Sequence, residues 1–223
     1  MPSIKKPSLP SLEDALDDLP LFPLPQVVLF PDAPLPLHIF EPRYRKMLAD
    51  CLASHKAIAI AQIVSGATGP RIAEVVGGGI IVEHQSLPDG RSNIVVLGQA
   101  RLRIEDIAME ELPDLPYKRA RARVLSDLDV DVSESDRAAL VAAATMFATE
   151  VKKHDPQFGF RVPSTCDAGR IADTCAYQLV VDATVRQAIL EELDPRARVH
   201  MVTNQLALQH GAMLSDAPGK VLN

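Results

Sequence analysis

Between residues 19 and 44 the hydrophobic positions come in short clusters broken by Pro20, Pro23, Pro25, Pro31, Pro34, Pro36 and Pro42. Proline has no backbone N–H and is confined to strand ends, edges and turns, so this pattern predicts an extended ribbon of short strands. At Pro42 the period changes. Tyr44, Met47, Leu48, Cys51 and Leu52 recur at three- and four-residue intervals, which predicts an amphipathic helix up to Ser54. Residues 57–64 then read as a buried strand, 65–70 as a loop, and 72–85 as a strand weakened by Gly77, Gly78 and Gly79. The turn Leu87-Pro88-Asp89-Gly90 predicts a hairpin joining residues 80–85 to 93–97. Leu102, Ile104 and Ile107, and later Ala120, Ala122 and Val124, continue the β pattern with arginines at intervening positions.

Beyond Ser133 the spacing is helical. Leu140, Ala144, Phe147 and Val151 share one face, and Ser133 with Asp136 forms a capping box with the shorter acid. Thr184 and Gln187 form a second such box ahead of Ile189, Leu190 and Leu193. Asp194-Pro195 supplies an N-cap and first-turn proline for a helix carrying Val199, Val202, Leu206 and Gln209, with a stop at Gly211. Strands followed by helices indicate an α+β chain. The expected organisation is a flexible tail over 1–18, a β domain over 19–127, a helical bundle over 133–211 and a second flexible tail over 212–223.

The chain has 223 residues, 47% of them hydrophobic, with no Trp, enough for one large or two modest domains around an aliphatic core. A net charge of −6 disfavours unspecific binding to phosphate backbones or anionic membranes, which need a local excess of Lys and Arg. Cys51, Cys166 and Cys175 are odd in number and lack Cys-x-x-Cys spacing, which suits a reducing compartment. No apolar run approaches the roughly 18 residues that span a bilayer, and residues 1–20 lack the apolar core of a secretory leader. A soluble, cytoplasmic protein is expected, with its oligomeric state left open.

Leu-Pro-Leu-Phe-Pro-Leu at 19–24, Val-Val-Leu-Phe-Pro at 27–31, Leu-Pro-Leu-His-Ile-Phe-Glu-Pro-Arg-Tyr at 35–44 and Met47 resemble the opening of the Lon N-terminal substrate-binding domain. The resemblance continues through Leu87-Pro88-Asp89-Gly90-Arg91, the 98–104 segment and Pro116-Tyr117. It also takes in Ile171-Ala172-Asp173, Arg186-Gln187, Leu190-Glu191 and Leu193-Asp194, so that it covers about residues 19–210. It implies a PUA-like twisted β-barrel domain followed by an α-helical bundle. It also implies a stand-alone protein that binds unfolded or tagged polypeptide, or a protein partner, in protein quality control.

The chemistry of a full Lon protease has no visible seat. Gly219-Lys220 is followed by Val221 and lacks the upstream glycine of a phosphate-cradling loop, and Ser3 and Lys6 share only the bare Ser-x-x-Lys spacing. Asp127, Asp129 and Asp131 alternate like calcium ligands, but Val132 and Ala138 occupy the required glycine and glutamate positions. The six histidines show no zinc spacing. No catalytic residue, metal or cofactor is expected. Two surfaces are candidates for binding. His38, Phe40 and Tyr44, at the end of the apolar ribbon, are expected to be partly exposed and to contact captured peptide. Arg119, Arg121 and Arg123, on one strand face, offer an alternative nucleic-acid-binding surface, since PUA-like folds include RNA binders. The absence of aromatics interleaved with these arginines and the negative net charge favour an ordinary solvated face.

Overall fold

The computed structural model describes residues 11–66, 69–107, 115–162 and 166–215. The chain divides into two compact units, Met1–Ser126 and Asp127–Asn223. The first contains strands β1 (Leu19–Leu24), β2 (Pro34–Ile39), β3 (Ala57–Gly66), β4 (Gly69–Ile72), β5 (Val75–Ser86), β6 (Ser92–Ile107) and β7 (Arg119–Leu125), with helix α1 (Pro42–Ala53) between β2 and β3. Neighbouring strands run β1-β7-β6-β5-β3, and β1 pairs in parallel with β3, Leu21 opposite Ala59, so that five strands close a barrel. β4 extends β3 as a hairpin, and β2 lies antiparallel on the first half of β6.

The composition of β3 follows from its position in that barrel. Ala57, Ala59 and Ala61 join Leu19, Leu21, Val76, Leu102 and Ala122 in one cluster, while Ile58 and Ile60 join Met47, Leu48 and Cys51 of α1 in another. Successive strand residues point to opposite faces, so both faces of β3 are buried over residues 57–61, and that stretch is continuously apolar. A five-stranded barrel is narrow, which suits alanine on the inner face.

Two expectations about the first unit are corrected. Residues 12–15, assigned to a loose tail, form a 3-10 turn capped by the Ser11 hydroxyl, and Leu12 and Ala15 are buried in the barrel cluster. Leu12 and Leu16 find an apolar face there, and the Leu16 carbonyl accepts from the Ala122 N–H. The glycines of β5 are a packing requirement and not a weakness. A Cβ on Gly77 would lie 2.0 Å from the Leu29 carbonyl oxygen, and one on Gly98 equally close to that of Phe30. The ribbon between β1 and β2 thus crosses directly over the sheet, and only hydrogen fits beneath it.

The second unit holds α2 (Glu134–His154), α3 (Ala168–Leu179), α4 (Ala183–Glu191) and α5 (Pro195–Ser215), with α5 packed against α2 and α3. The Ser133 hydroxyl accepts from the Asp136 N–H at 3.1 Å, as the sequence pattern predicts. Helix α4 starts earlier than its Thr184 signal implies: Asp182 accepts from the N–H groups of Thr184 and Val185. Gly211 does not stop α5, which continues to Ser215. The core gathers Leu140, Phe147, Ile171, Cys175, Leu190, Val202 and Leu206 with a buried ion pair, Arg198 at 0% exposure and Asp173 at 4%, whose Nε and Oδ1 lie 3.3 Å apart. Its guanidinium donates to both Asp127 oxygens, at 2.7 and 2.6 Å, and to the Glu192 carbonyl at 3.0 Å. Asp127 is thus committed to an ion pair, not arranged as the first ligand of a calcium loop.

Candidate peptide-binding trough

Among the described residues β2 has one partner strand, β6. The Gly98 N–H donates to the Ala33 carbonyl, and the register continues without a break from Pro34 opposite Leu97 to Ile39 opposite Ser92. Antiparallel ladders alternate, so Leu35, Leu37 and Ile39 turn their backbone groups to β6, and Pro34, Pro36 and His38 turn theirs outward. Two of those three outward positions carry no N–H. This edge therefore lacks most of the donor row that main-chain pairing with a peptide requires.

Side chains remain to do the binding. Glu83, His84 and Gln85 of β5, Asn93, Ile94 and Val95 of β6 and Pro36, Leu37 and His38 of β2 line an open trough of about 400 Å³. The His38 ring donates from Nδ1 to Asn93 Oδ1 at 2.8 Å, and Asn93 Nδ2 donates to Gln85 Oε1 at 3.4 Å, which fixes the ring's position. Phe40, one residue past the strand, stacks on His38 with ring centroids 6.1 Å apart and is 59% exposed. A phenylalanine so exposed beside a histidine fixed by its hydrogen bond is a ready apolar contact.

Tyr44 does not join them. At 6% exposure it packs its ring 4.4 Å from Phe22 within the α1 cluster, with the Arg43 guanidinium 4.5 Å from the ring centroid. Its expected exposure is therefore corrected: the helical stripe that carries Met47, Leu48 and Cys51 carries Tyr44 into the core as well.

A second trough, of about 580 Å³, shares His84 with the first. It runs between α1, through Pro42, Arg45, Lys46, Ala49 and Leu52, and the β5–β6 turn at Ser86, Gly90 and Ser92. Beside it the Tyr117 hydroxyl donates to Asp50 at 2.8 Å. Burial alone would raise the Asp50 carboxyl, but hydrogen bonds from Lys46 and Tyr117 hold it below the usual carboxylate value. Burial and the bond to Asp50 push the Tyr117 phenol up. Burial likewise pushes the Cys51 thiol to about 12, leaving it inert in the core. Nothing local in the sequence singles out His84, Asn93 or Arg45 as site residues. The alternation of β5 and β6 was visible, but the placement of β2 beside them rests on a pairing about 60 residues apart in sequence.

Each arginine of β7 has a carboxylate partner, with Glu105 shared between two of them. Arg119 donates to both Asp18 oxygens at 2.7 Å, and Glu105 receives Arg121 and Arg123 at 3.5 Å each.

The fold is that of Lon N-terminal domains. The structure overlays on a Lon N-terminal domain protein from Xanthomonas campestris with a TM-score of 0.63 at 21% identity, covering 84% of this chain and 97% of that one. It overlays on the N-terminal domain of Mycobacterium avium complex Lon protease with a TM-score of 0.65 at 13% identity, covering 86% and 98%. The class is thus an α+β one, a closed five-stranded β-barrel unit followed in sequence by a helical unit. The family model of the ATP-dependent protease La (LON) substrate-binding domain matches residues 18–207, and the chain belongs to that family. Lon protease of Roseiflexus castenholzii is 29% identical over 212 residues, 92% of this chain and 25% of the relative. That of Heliobacterium modesticaldum is 27% identical over 201 residues, 88% of this chain and 24% of the relative. The chain spans about a quarter of the length of these relatives, and the family match takes in the substrate-binding domain alone. Among the described residues no helix is long and apolar enough to cross a membrane.

Proposed function

We propose that this chain binds extended polypeptide segments without catalysing their cleavage, in the trough between β2 and the β5–β6 hairpin. The observation that carries the reading is Phe40, more than half exposed and stacked on a histidine that itself lines an open, largely apolar groove. Membership in a substrate-binding family supports a polypeptide ligand, and a reducing, cytoplasmic setting fits the unpaired cysteines. The proline-blunted edge assigns recognition to side-chain pockets rather than strand addition. The RNA alternative loses support because each arginine of the β7 face has a carboxylate partner.

Titration of a fluorescent unfolded protein into the wild type and Phe40→Ala tests this. The variant is expected to keep its melting temperature while losing about fivefold or more in affinity, because a truncated aromatic anchor costs ~1 kcal/mol or more. Absence of saturable binding by the wild type, or equal affinity of the two proteins, overturns the reading.

A further inference from the structure

We infer that the helical unit binds a nucleoside phosphate in a cavity between α2, the loop after it and the last turn of α3. The cavity, of about 660 Å³, is lined by Thr145, Ala148, Thr149 and Lys152 of α2, by residues 158–162 and by Gln178. Offsets of three, four and seven residues from Thr145 place the α2 group on one helical stripe. The facing wall follows from the turn Asp155-Pro156-Gln157-Phe158, in which proline holds the second position and the Phe158 N–H donates to the Asp155 carbonyl at 3.0 Å. Beyond that turn Phe158 and Phe160, both half-buried, line the same cavity as Lys152.

Among the described residues no carboxylate lines this cavity, and the acids near it in sequence are engaged elsewhere. Glu150 receives Lys153, the Asp155 carboxylate accepts from the Gln157 N–H, Asp167 caps α3 and Asp173 holds Arg198. Lys152 and Arg161 have no ion-pair partner among the described residues, so two cations face one cavity without an anion. The remaining polar groups narrow the ligand. The Thr145 and Thr149 hydroxyls donate to the carbonyls four residues back, at 2.7 Å each, which leaves their lone pairs for a ligand. Inorganic phosphate would leave the phenylalanines unmatched, and a fatty acid would leave the threonine acceptors so. A nucleoside phosphate matches both: its base stacks on a phenylalanine ring, its N–H and O–H groups donate to the threonines, and its phosphate meets Lys152 and Arg161. The volume suits a ligand of that size.

Calorimetric titration of the full chain with the four ribonucleoside monophosphates, the matching nucleosides, inorganic phosphate and a single-stranded hexanucleotide tests this. At low salt at least one monophosphate is expected to bind saturably, about tenfold tighter than its nucleoside, the scale of two partly exposed charge contacts, and the preference should shrink as salt rises. Changing Lys152 and Arg161 together to Gln should abolish that preference. Phe158→Leu with Phe160→Leu should weaken nucleotide and nucleoside alike, by about fivefold or more. Lys152 and Arg161 are exposed, so the charge variant keeps its fold, which a thermal melt verifies, and it decides the matter if the leucine variant does not. No saturable binding of any monophosphate, inorganic phosphate binding as tightly as the nucleotide, or a preference that survives the charge variant overturns the inference. Tighter binding of the hexanucleotide, per site, overturns a free nucleotide as the occupant.

Discussion

Three aromatic residues within fifteen positions of one ribbon have three different fates, and burial decides each. Phe30 is fully buried, so Phe30→Ala is expected to cost ~3–5 kcal/mol and to lower the melting temperature sharply. Tyr44→Ala should destabilise comparably, and any binding it loses should track lost fold, whereas Phe40→Ala leaves the melt unchanged; differential scanning of the three variants checks the order. The distinction was half legible in the sequence. Phe30 sits in an apolar run and reads as core, and Tyr44 belongs to two patterns at once, the ribbon and the helical stripe, of which the stripe prevails. Asp50 yields a pH prediction. Its folded value is depressed, so its contribution is complete above the unfolded value near 3.8 and fades as pH falls through the folded one. The melting temperature of Asp50→Asn should therefore lie below that of the wild type near neutrality, and the gap should close in strong acid. A gap that persists unchanged into acid would assign the loss to geometry instead of charge.

Elements announced by local chemistry were read correctly: the Pro42 start of α1, the Ser133 cap of α2 and the Leu87–Gly90 turn all depend on residues within a few positions of one another. Where two signals overlapped, the stronger cap prevailed, and Asp182 begins α4 in place of Thr184 because one aspartate oxygen satisfies two amides. The glycines of β5 were misread since a strand glycine signals either weakness or close approach, and the Leu29 carbonyl that settles the matter lies 48 residues away in sequence. Gly77→Ala is accordingly expected to destabilise the barrel by at least ~2 kcal/mol, as overpacking does, with equilibrium denaturation as the measurement. A neutral result would mean that the ribbon moves aside easily and that the close crossing is not required.

Across the whole chain, the β7 arginines are the strongest local excess of positive charge considered, and Asp18 and Glu105 offset two of their three charges. Changing Arg119, Arg121 and Arg123 together to Gln should therefore leave any RNA association as weak and salt-sensitive as in the wild type, by filter binding at low and moderate salt. Micromolar binding abolished by the triple change would restore the RNA reading. The α+β order is legible because strand and helix periods differ, and the barrel only through the family resemblance, whereas the Arg198–Asp127 pair, 71 positions apart, and the seat of β2 are legible in neither. Pro34 and Pro36 have a consequence in time. Strand addition builds a row of cooperative bonds that must break together, while pockets gripping side chains release one contact after another. A ligand on this edge should dissociate quickly, with its affinity set by departure more than by arrival. A receptor that must sample many segments, retaining none for long, gains turnover from the very amides it lacks.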